Sequence, residues 1–310
     1  MNGVNGPDGG APAAPEGSMS GEPHVFRTLR LSIDAGVAVA EIDNPPVNLI
    51  TPDLYRDLRA LPDLIEADDG ARVLVLRSAN PDFFIAHYDV EQILAAPTEG
   101  PAVRGLELRG FHKVVERYRT MAVPTICEIA GRVGGGGGEL AASCDLRFGT
   151  PATTLCQMEV PLGILPGGSG TERLPRLLGR GRAMEIVLGG DDIDGVTLER
   201  WGWLNRALPP EELRPFVDRL SARIAGFPPQ AVARAKASVL AAGPDPTEGL
   251  LTEAFLFQET LRHPSSQARM RAFLERGGQT PAGELRVGAL GAELGPDGGS
   301  GPEAGGEARR

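Results

Sequence analysis

A run of five glycines at residues 134–138 is the feature that most constrains how this chain can fold. In regular structure each glycine costs roughly 0.5–1 kcal/mol relative to alanine, so the run indicates a close backbone approach or a positive φ. An apolar stretch precedes it at residues 123–130, and residues 139–142 after it have the composition of a helix start. A helix N-terminus leaves N–H groups unpaired and favours negative charge. The run therefore predicts an anion-binding turn between a strand and a helix rather than a flexible linker.

Three kinds of glycine turn bind anions. A phosphate-binding P-loop requires Lys-Ser or Lys-Thr after the last glycine, and Glu139-Leu140 stands there instead. The dinucleotide-binding fingerprint is matched loosely by residues 136–141, with Glu159 as the acidic residue further on. In the third kind, the glycine N–H groups form half of an oxyanion hole, and Glu139 is an acid or base that faces the same cavity.

Composition narrows the classes of function. The chain has 310 residues, 41% of them apolar, with a formal charge of −10, which argues against nucleic acid as a partner. It shows neither a signal-peptide pattern nor an apolar run long enough for a bilayer, so we expect a cytoplasmic protein without a membrane partner. Cys127, Cys144 and Cys156 lack metal-ligand spacing and lie in apolar settings. We expect them to be buried free thiols, and we expect no metal site.

The patterning divides the chain into four segments. Residues 1–24 and 281–310 are rich in Gly, Pro and Ala without an apolar period, which predicts disordered tails. Residues 25–225 alternate short apolar strands with amphipathic helices, which is typical of an α/β domain built from repeated strand–strand–helix units. Residues 226–280 have helical patterning only.

Several motifs occur together in a known order. They are Asn44-Pro45-Pro46-Val47-Asn48, the Phe-x-Ala-x-x-Asp stretch from Phe84 to Asp89, Gly-Gly-Gly-x-Glu-Leu-Ala followed by Cys144-Asp145, then Glu159, the stretch from Leu165 to Leu174, and Gly202-Trp203-Leu204-Asn205-Arg206. From about residue 26 to 278 the chain resembles the crotonase superfamily, the enoyl-CoA hydratase/isomerase group. Each motif is weak alone, and their shared order makes the resemblance specific.

The resemblance implies a fold and an assembly. The expected fold is an α/β spiral of repeated ββα units, followed by a C-terminal helical region that forms homotrimers, often paired into hexamers. The helices at residues 228–276 carry more apolar side chains than a small helical region would hide, which agrees with subunit contacts. The side chains expected to be exposed there are Val232, Val239, Leu251, Phe255 and Phe273.

The resemblance also implies a site. It places the two oxyanion N–H donors on Tyr88 and Gly136, and the two catalytic carboxylates on Glu139 and Glu159. An acyl-CoA thioester is the implied substrate, so coenzyme A arrives with the substrate and no separate cofactor is expected. The residues expected to contact the substrate are Ala86, His87, Gly135, Pro166 and Gly167.

Elementary chemistry agrees with these roles. Two preorganised N–H donors stabilise the charge that develops on a thioester oxygen, and two carboxylates can divide the work of base and acid. Glu159 stands in an apolar stretch at residues 154–160 that reads as a strand, where an isolated carboxylate is unusual. His112 is expected to be solvated, and Asp145 and Arg173 to serve as cap and ion-pair partners.

The chain departs from the resemblance at residues 87–88. The family usually has Gly-Ala where this chain has His87-Tyr88. Replacing Ala with Tyr keeps the N–H, so the oxyanion hole can survive, but two larger polar side chains then stand beside the thioester. His87 can titrate near neutral pH and take part in the chemistry, or it can simply fill space.

Hydration of an enoyl-CoA through an oxyanion-stabilised enolate is the predicted activity, because both carboxylates are present. Other reactions of the same superfamily on acyl-CoA remain alternatives: isomerisation, hydrolysis, decarboxylation and carbon–carbon cleavage. A non-catalytic assembly subunit and a nicotinamide-dependent dehydrogenase are the alternatives from other classes. Fold alone does not choose among them.

Overall fold

A computed structural model describes residues 25–295 of the chain. Its strands are β1 Leu29–Asp34, β2 Val37–Ile42, β3 Val73–Ser78, β4 Phe83–Ile85, β5 Thr125–Ile129, β6 Arg132–Gly134, β7 Leu146–Gly149, β8 Thr154–Cys156, β9 Ile193–Asp194 and β10 Arg206–Ala207. Its helices are α1 Pro52–Ala67, α2 Val90–Leu94, α3 Gly110–Thr120, α4 Gly135–Ser143, α5 Gly170–Leu178, α6 Arg180–Gly189, α7 Gly195–Trp201, α8 Pro210–Ala225, α9 Pro229–Ala241, α10 Thr247–Leu261, α11 Pro264–Glu275, α12 Pro281–Glu284 and α13 Val287–Glu293.

The strands form two sheets. One has the order β1-β2-β3-β5-β7-β10 and the other has the order β4-β6-β8-β9. The first hairpin is antiparallel and turns at Ala35 and Gly36, both with positive φ, whereas the pairings from β2 to β10 are parallel. Residues 73–77 of β3 are all buried, as expected for a parallel strand covered on both faces. The α/β prediction is confirmed.

The helices cover the sheets with single apolar faces. In α1, the side chains of Leu54, Leu58 and Leu61 recur at helical spacing and are buried, and the Thr51 side chain caps the first turn by accepting from the N–H of Leu54. Helix α4 differs because all its residues are buried. A helix enclosed on every side cannot shift, so its first turn is a rigid platform for a site.

The C-terminal helices only partly follow the prediction. Leu251 and Phe273 are buried within the chain, so the expectation that they face a partner subunit is wrong. Phe273 packs instead in a core cluster with Phe257 of α10 and Met270 of α11. Helix α9 has no buried residue, and 74% of Val239 is exposed. The trimer or hexamer stays a prediction.

The predicted tail from residue 281 is wrong for residues 281–295. This segment forms α12 and α13, and the side chains of Val287, Leu290 and Leu294 are buried against the cluster that contains Phe273. Its abundant Gly and Ala hid an apolar face at helical spacing, and the small residues let the helices pack closely. The predicted tails at residues 1–24 and 296–310 lie outside the described part of the chain.

Within residues 25–295, no helix combines the length and the apolar content needed to cross a membrane.

The packing of α13 gives a stability prediction. Leu290→Ala should lower the free energy of unfolding by about 2–5 kcal/mol, because the Leu290 side chain is fully buried. Leu285→Ala is the matched control, since 54% of that leucine is exposed and its loss should cost under about 0.5 kcal/mol. Urea unfolding followed by circular dichroism measures both. Equal midpoints for the two variants would show that α13 contributes nothing to the core.

Candidate active site

The glycine run begins the helix that carries Glu139. Strand β6 ends at Gly134 and α4 begins at Gly135, so the helix starts one turn earlier than the sequence predicts. A β-carbon on Gly134 would lie 2.6 Å from the carbonyl oxygen of Cys156 and 2.8 Å from that of Ala86. The run therefore lets the start of α4 approach the backbone of β8 and of the segment after β4.

The peptide between His87 and Tyr88 is held in one orientation. The N–H of Ile50 donates to the carbonyl of His87 at 2.9 Å, and the N–H of Asp89 donates to the carbonyl of Ile50 at 3.3 Å. Because this peptide is trans, the N–H of Tyr88 points away from Ile50. A β-carbon on Gly136 would lie 3.3 Å from Cβ of Tyr88. The two predicted oxyanion residues are therefore neighbours.

Glu139 is buried and fixed by backbone amides. Its Oε1 accepts hydrogen bonds from the N–H groups of Gly168 and Gly170, both at 2.8 Å. Donation to a carboxylate by two amides at the start of a helix favours its ionised form. The side chain thus has one carboxylate orientation, set by the turn at residues 166–170.

Glu253 of α10 also accepts hydrogen bonds from the same turn. Its carboxylate accepts from the N–H of Ser169 at 2.6 Å and from the N–H of Thr171 at 2.8 Å. Consecutive amides from residue 168 to 171 therefore alternate between Glu139 and Glu253. This arrangement holds Ser169 at a φ of 107°, a region that costs energy for a residue with a side chain.

His112 supports Glu253, and the prediction that His112 is solvated is wrong. Its Nε2 lies 2.9 Å from Oε1 of Glu253, and its side chain is buried. Sequence reasoning missed Glu253. The available signal was its spacing, because Glu253 lies three residues after Leu250 and four before Phe257, on the apolar face of α10, where a buried carboxylate needs partners.

Glu159 follows β8 in a hydrogen-bonded turn, so the prediction that it lies in a strand is wrong. The N–H of Leu162 donates to the carbonyl of Glu159 at 3.0 Å. Its Oε1 accepts from Nε2 of Gln157 at 3.1 Å. Its Oε2 is buried and has no hydrogen-bond partner within the described residues. A buried carboxylate oxygen without a partner is costly, which indicates a group that awaits a ligand or a proton.

The two glutamates face one small region. A β-carbon on Gly170 would lie 3.0 Å from Oε1 of Glu139 and 3.3 Å from Nε2 of Gln157, and Gln157 donates to Glu159. A β-carbon on Gly135 would lie 3.0 Å from Oε1 of Glu159. The two carboxyls are therefore linked through Gly170 and Gln157, and the charge of Glu159 acts on Glu139.

Burial raises the pKa of both glutamates. Burial, together with the charges of Glu159 and Glu253, raises the pKa of Glu139 well above its usual value, although the amides of Gly168 and Gly170 oppose the shift. Burial also raises the pKa of Glu159 to about 7, against the opposing charge of His87. The pair therefore keeps a proton near neutral pH, which supplies one acid and one base.

The side chain of His87 is buried rather than solvated. Its Nδ1 lies 2.8 Å from the carbonyl oxygen of Tyr88, and its Nε2 lies 3.0 Å from Oε1 of Glu284 in α12. Tyr88 turns its ring the other way, edge-on to Phe111 and Tyr55. Glu284 is a second residue that sequence reasoning missed, because it falls in the predicted tail.

The remaining residues predicted to contact the substrate are Ala86, Pro166 and Gly167. Ala86 is buried with its carbonyl against Gly134. A β-carbon on Gly170 would lie 2.7 Å from Cβ of Pro166, and one on Gly167 would lie 2.6 Å from the ring of Phe257. Their contact with substrate stays a prediction. Among the described residues, no group of three His, Cys, Asp or Glu side chains could hold a metal ion.

Comparison with known proteins identifies the family. Residues 32–280 match the profile of the enoyl-CoA hydratase/isomerase family. The chain is 30% identical to the crotonyl-CoA hydratase of Syntrophomonas wolfei over 266 residues, 81% of this chain and 96% of the relative. It is 30% identical to the short-chain-enoyl-CoA hydratase of Clostridium acetobutylicum over 249 residues, 79% of this chain and 94% of the relative.

A solved structure agrees with this match. A Streptomyces avermitilis protein, provisionally named an enoyl-CoA hydratase, superposes with a TM-score of 0.80 at 38% identity, covering 87% of this chain and 99% of that one. The fold and the site therefore define an enzyme of the crotonase superfamily. The chain belongs to its enoyl-CoA hydratase/isomerase family.

The raised pKa of Glu159 predicts a pH-dependent stability difference. Between pH 4.5 and about 7 the Glu159 carboxyl binds more protons in the folded state than in the unfolded state, so its contribution to wild-type stability falls as pH rises through this window. The Glu159→Gln variant has no carboxyl at this position, so it does not lose this stability as pH rises. The unfolding free energy of the variant relative to wild type should rise by up to about 3 kcal/mol across the window. Urea unfolding at several pH values measures it.

Glu259→Gln on the exposed face of α10 is the control for this experiment. Its difference from wild type should not change with pH over the same window. A Glu159→Gln difference that is equally flat would mean that the carboxyl of Glu159 ionises normally in the folded protein.

Proposed function

We propose that this enzyme adds water reversibly across the double bond of an enoyl-CoA thioester. The observation that carries the proposal is the buried pair of Glu139 and Glu159, whose pKa values burial raises and which adjoins the amides of Tyr88 and Gly136. The names of the hydratases that match over most of their length support the same reaction.

The two amides act on the thioester oxygen. In the proposed complex this oxygen accepts from the N–H of Tyr88 and from the N–H of Gly136. Negative charge grows on the oxygen as water attacks the conjugated double bond, and fixed donors stabilise that charge without reorganisation. Each donor is worth about 2.7–4 kcal/mol in sites of this kind.

The two carboxyls divide the proton transfers. Glu139 in its ionised form takes a proton from the attacking water, and the oxygen of that water bonds to the β-carbon; the amides of Gly168 and Gly170 stabilise this form against the burial that raises its pKa. Glu159, whose pKa of about 7 keeps it substantially protonated near neutral pH, gives its proton to the α-carbon. The double bond is consumed, one water is gained, and the reverse steps remove water.

Hydration is favoured over the alternatives by the second carboxyl. An isomerisation that moves one proton needs one acid–base group, whereas this site keeps both Glu139 and Glu159 buried despite the desolvation cost. A nicotinamide cofactor on the glycine run is not favoured, because the run packs against the backbone of Ala86, which follows β4, and of Cys156 in β8.

The assembly and location belong to the same proposal. Exposed Val239 on α9, a helix without a buried residue, supports a homotrimer or hexamer formed through the helical region. The substrate is a small molecule that brings its own coenzyme A, and the proposed location is the cytoplasm. Light scattering on the purified protein gives the subunit number, and a monomer would contradict the assembly.

Removing either carboxyl should abolish most of the turnover. Glu139→Gln and Glu159→Gln should each lower kcat by about 10²–10⁴-fold, because an amide cannot accept or donate the transferred proton. The dissociation constant for a saturated acyl-CoA should change by less than about three-fold, since size and polarity are kept. Mass spectrometry on a panel of enoyl-CoA substrates, read as the gain of one water, measures the rate.

Glu259→Gln, outside the site, should retain the wild-type rate in the same panel. Near-normal turnover in either site variant would remove that glutamate from the mechanism. A wild-type enzyme that changes acyl-CoA without gaining water would replace hydration with another reaction of the superfamily.

A further inference from the structure

The segment after α11 holds the active-site loop at two points. Oε1 of Glu284 accepts from the N–H of Gln279 at 2.7 Å and lies 3.0 Å from Nε2 of His87. The side-chain oxygen of Gln279 accepts from the N–H of Val90 at 2.6 Å. The segment therefore contacts the loop one residue before and two residues after Tyr88, the predicted oxyanion residue.

The partners of His87 define its protonation state. A backbone carbonyl can only accept, so Nδ1 donates to the carbonyl of Tyr88. Glu284 is a carboxylate, so Nε2 also donates, and the ring is an imidazolium. Burial alone would lower the pKa of His87, but the charge of Glu284 and its hydrogen bond raise it overall. Burial would raise the pKa of Glu284, and His87 lowers it overall.

This buried cation lies beside Glu159. A β-carbon on Gly135 would lie 2.8 Å from Cβ of His87 and 3.0 Å from Oε1 of Glu159, so both residues lie beside this glycine, close enough for their charges to interact. The groups that face His87 or its partner come from several elements. They are Glu284 of α12, Glu159 after β8, the ring of Phe273 in α11, Arg132 of β6 and Cys156 of β8.

We propose that Glu284 is a positioning residue of the active site, which holds His87 as a buried cation against the peptide that follows Tyr88 and beside Glu159. Residues 279–284 then belong to the catalytic unit rather than to a tail. The proposal rests on the proposed hydration, since it assigns a role in that reaction.

Two effects follow from this arrangement. The ring hydrogen bond to the carbonyl of Tyr88 limits rotation next to the oxyanion N–H, so its loss should reduce kcat more than substrate binding. The positive charge lowers the pKa of Glu159 below the value that burial alone would give. Losing the charge should therefore move the Glu159 limb of the pH–rate profile to higher pH.

The test compares Glu284→Gln with Glu293→Gln. Glu293 lies on α13 of the same segment, and its carboxylate pairs with Arg286 at the exposed surface. In Glu284→Gln we expect a fall in kcat of about ten-fold, with KM within about two-fold, and a shift of the Glu159 limb to higher pH. Glu293→Gln should match wild type in all three quantities.

Histidine ring-nitrogen NMR gives a readout that does not depend on turnover. An ordinary histidine titrates with a pKa of about 6.5. In an NMR pH titration His87 should lose its proton at a higher pH than this in wild type and in Glu293→Gln, and at a lower pH than in wild type in Glu284→Gln. His87→Gln assigns the signal by removing it.

A double variant covers the case in which the single change prevents folding. Removing one partner leaves an uncompensated buried charge, whereas Glu284→Gln combined with His87→Gln removes both charges. The double variant should fold and show the same upward shift of the Glu159 limb. The proposal would be overturned if the Glu159 limb of the pH–rate profile did not shift in the folded variants. It would also be overturned if the protonation of His87, read by NMR, did not change in Glu284→Gln.

Failure of the proposed hydration would give different results from failure of the positioning role of Glu284. If wild type itself does not hydrate any enoyl-CoA, the hydration and the assigned role of Glu284 both fall, whatever the NMR shows. If wild type hydrates and Glu284→Gln keeps the wild-type kcat and pH profile, only the positioning role is overturned.

Discussion

The site depends on the absence of side chains at the start of α4. The carbonyl oxygens of Ala86 and Cys156 occupy the space that a side chain on Gly134 would need, and Ile85 does the same at Gly137, where a β-carbon would lie 2.5 Å from its carbonyl. Backbone contact of this kind brings β4, β6 and β8 together around one helix terminus. The amide of Tyr88, the amide of Gly136 and the turn that carries Glu159 become neighbours as a consequence.

Charge is then organised by backbone amides rather than by surface ion pairs. Four successive N–H groups in the turn before and into α5 alternate between Glu139 and Glu253, so each carboxylate fixes the turn that fixes the other. Glu159 has a weaker set of partners, with one oxygen bonded to Gln157 and the other unpaired. Burial raises the pKa of both carboxyls, but two backbone amides stabilise the ionised form of Glu139, which favours it as the base and Glu159 as the acid in the proposed reaction.

The sequence predicts those parts of this arrangement that depend on residues close together in the chain. The hairpin at Ala35-Gly36, the apolar face of α1 and the glycine turn each follow from short patterns. Glu253 and Glu284 could not be found that way, because their partners lie 82 or more residues away for Glu253 and 197 residues away for His87 with Glu284. A single glutamate in a helix, or in a Gly-rich stretch, normally faces solvent. The roles of the predicted catalytic residues remain predictions.

A crystal structure of the enzyme with a saturated acyl-CoA, which cannot be hydrated, tests the central claim most directly. The thioester oxygen should lie about 2.7–3.1 Å from the amide nitrogens of both Tyr88 and Gly136. The α-carbon should face Glu159, and the β-carbon should face Glu139. A thioester oxygen bound away from either amide, or acyl carbons that reach neither carboxyl, would contradict the account.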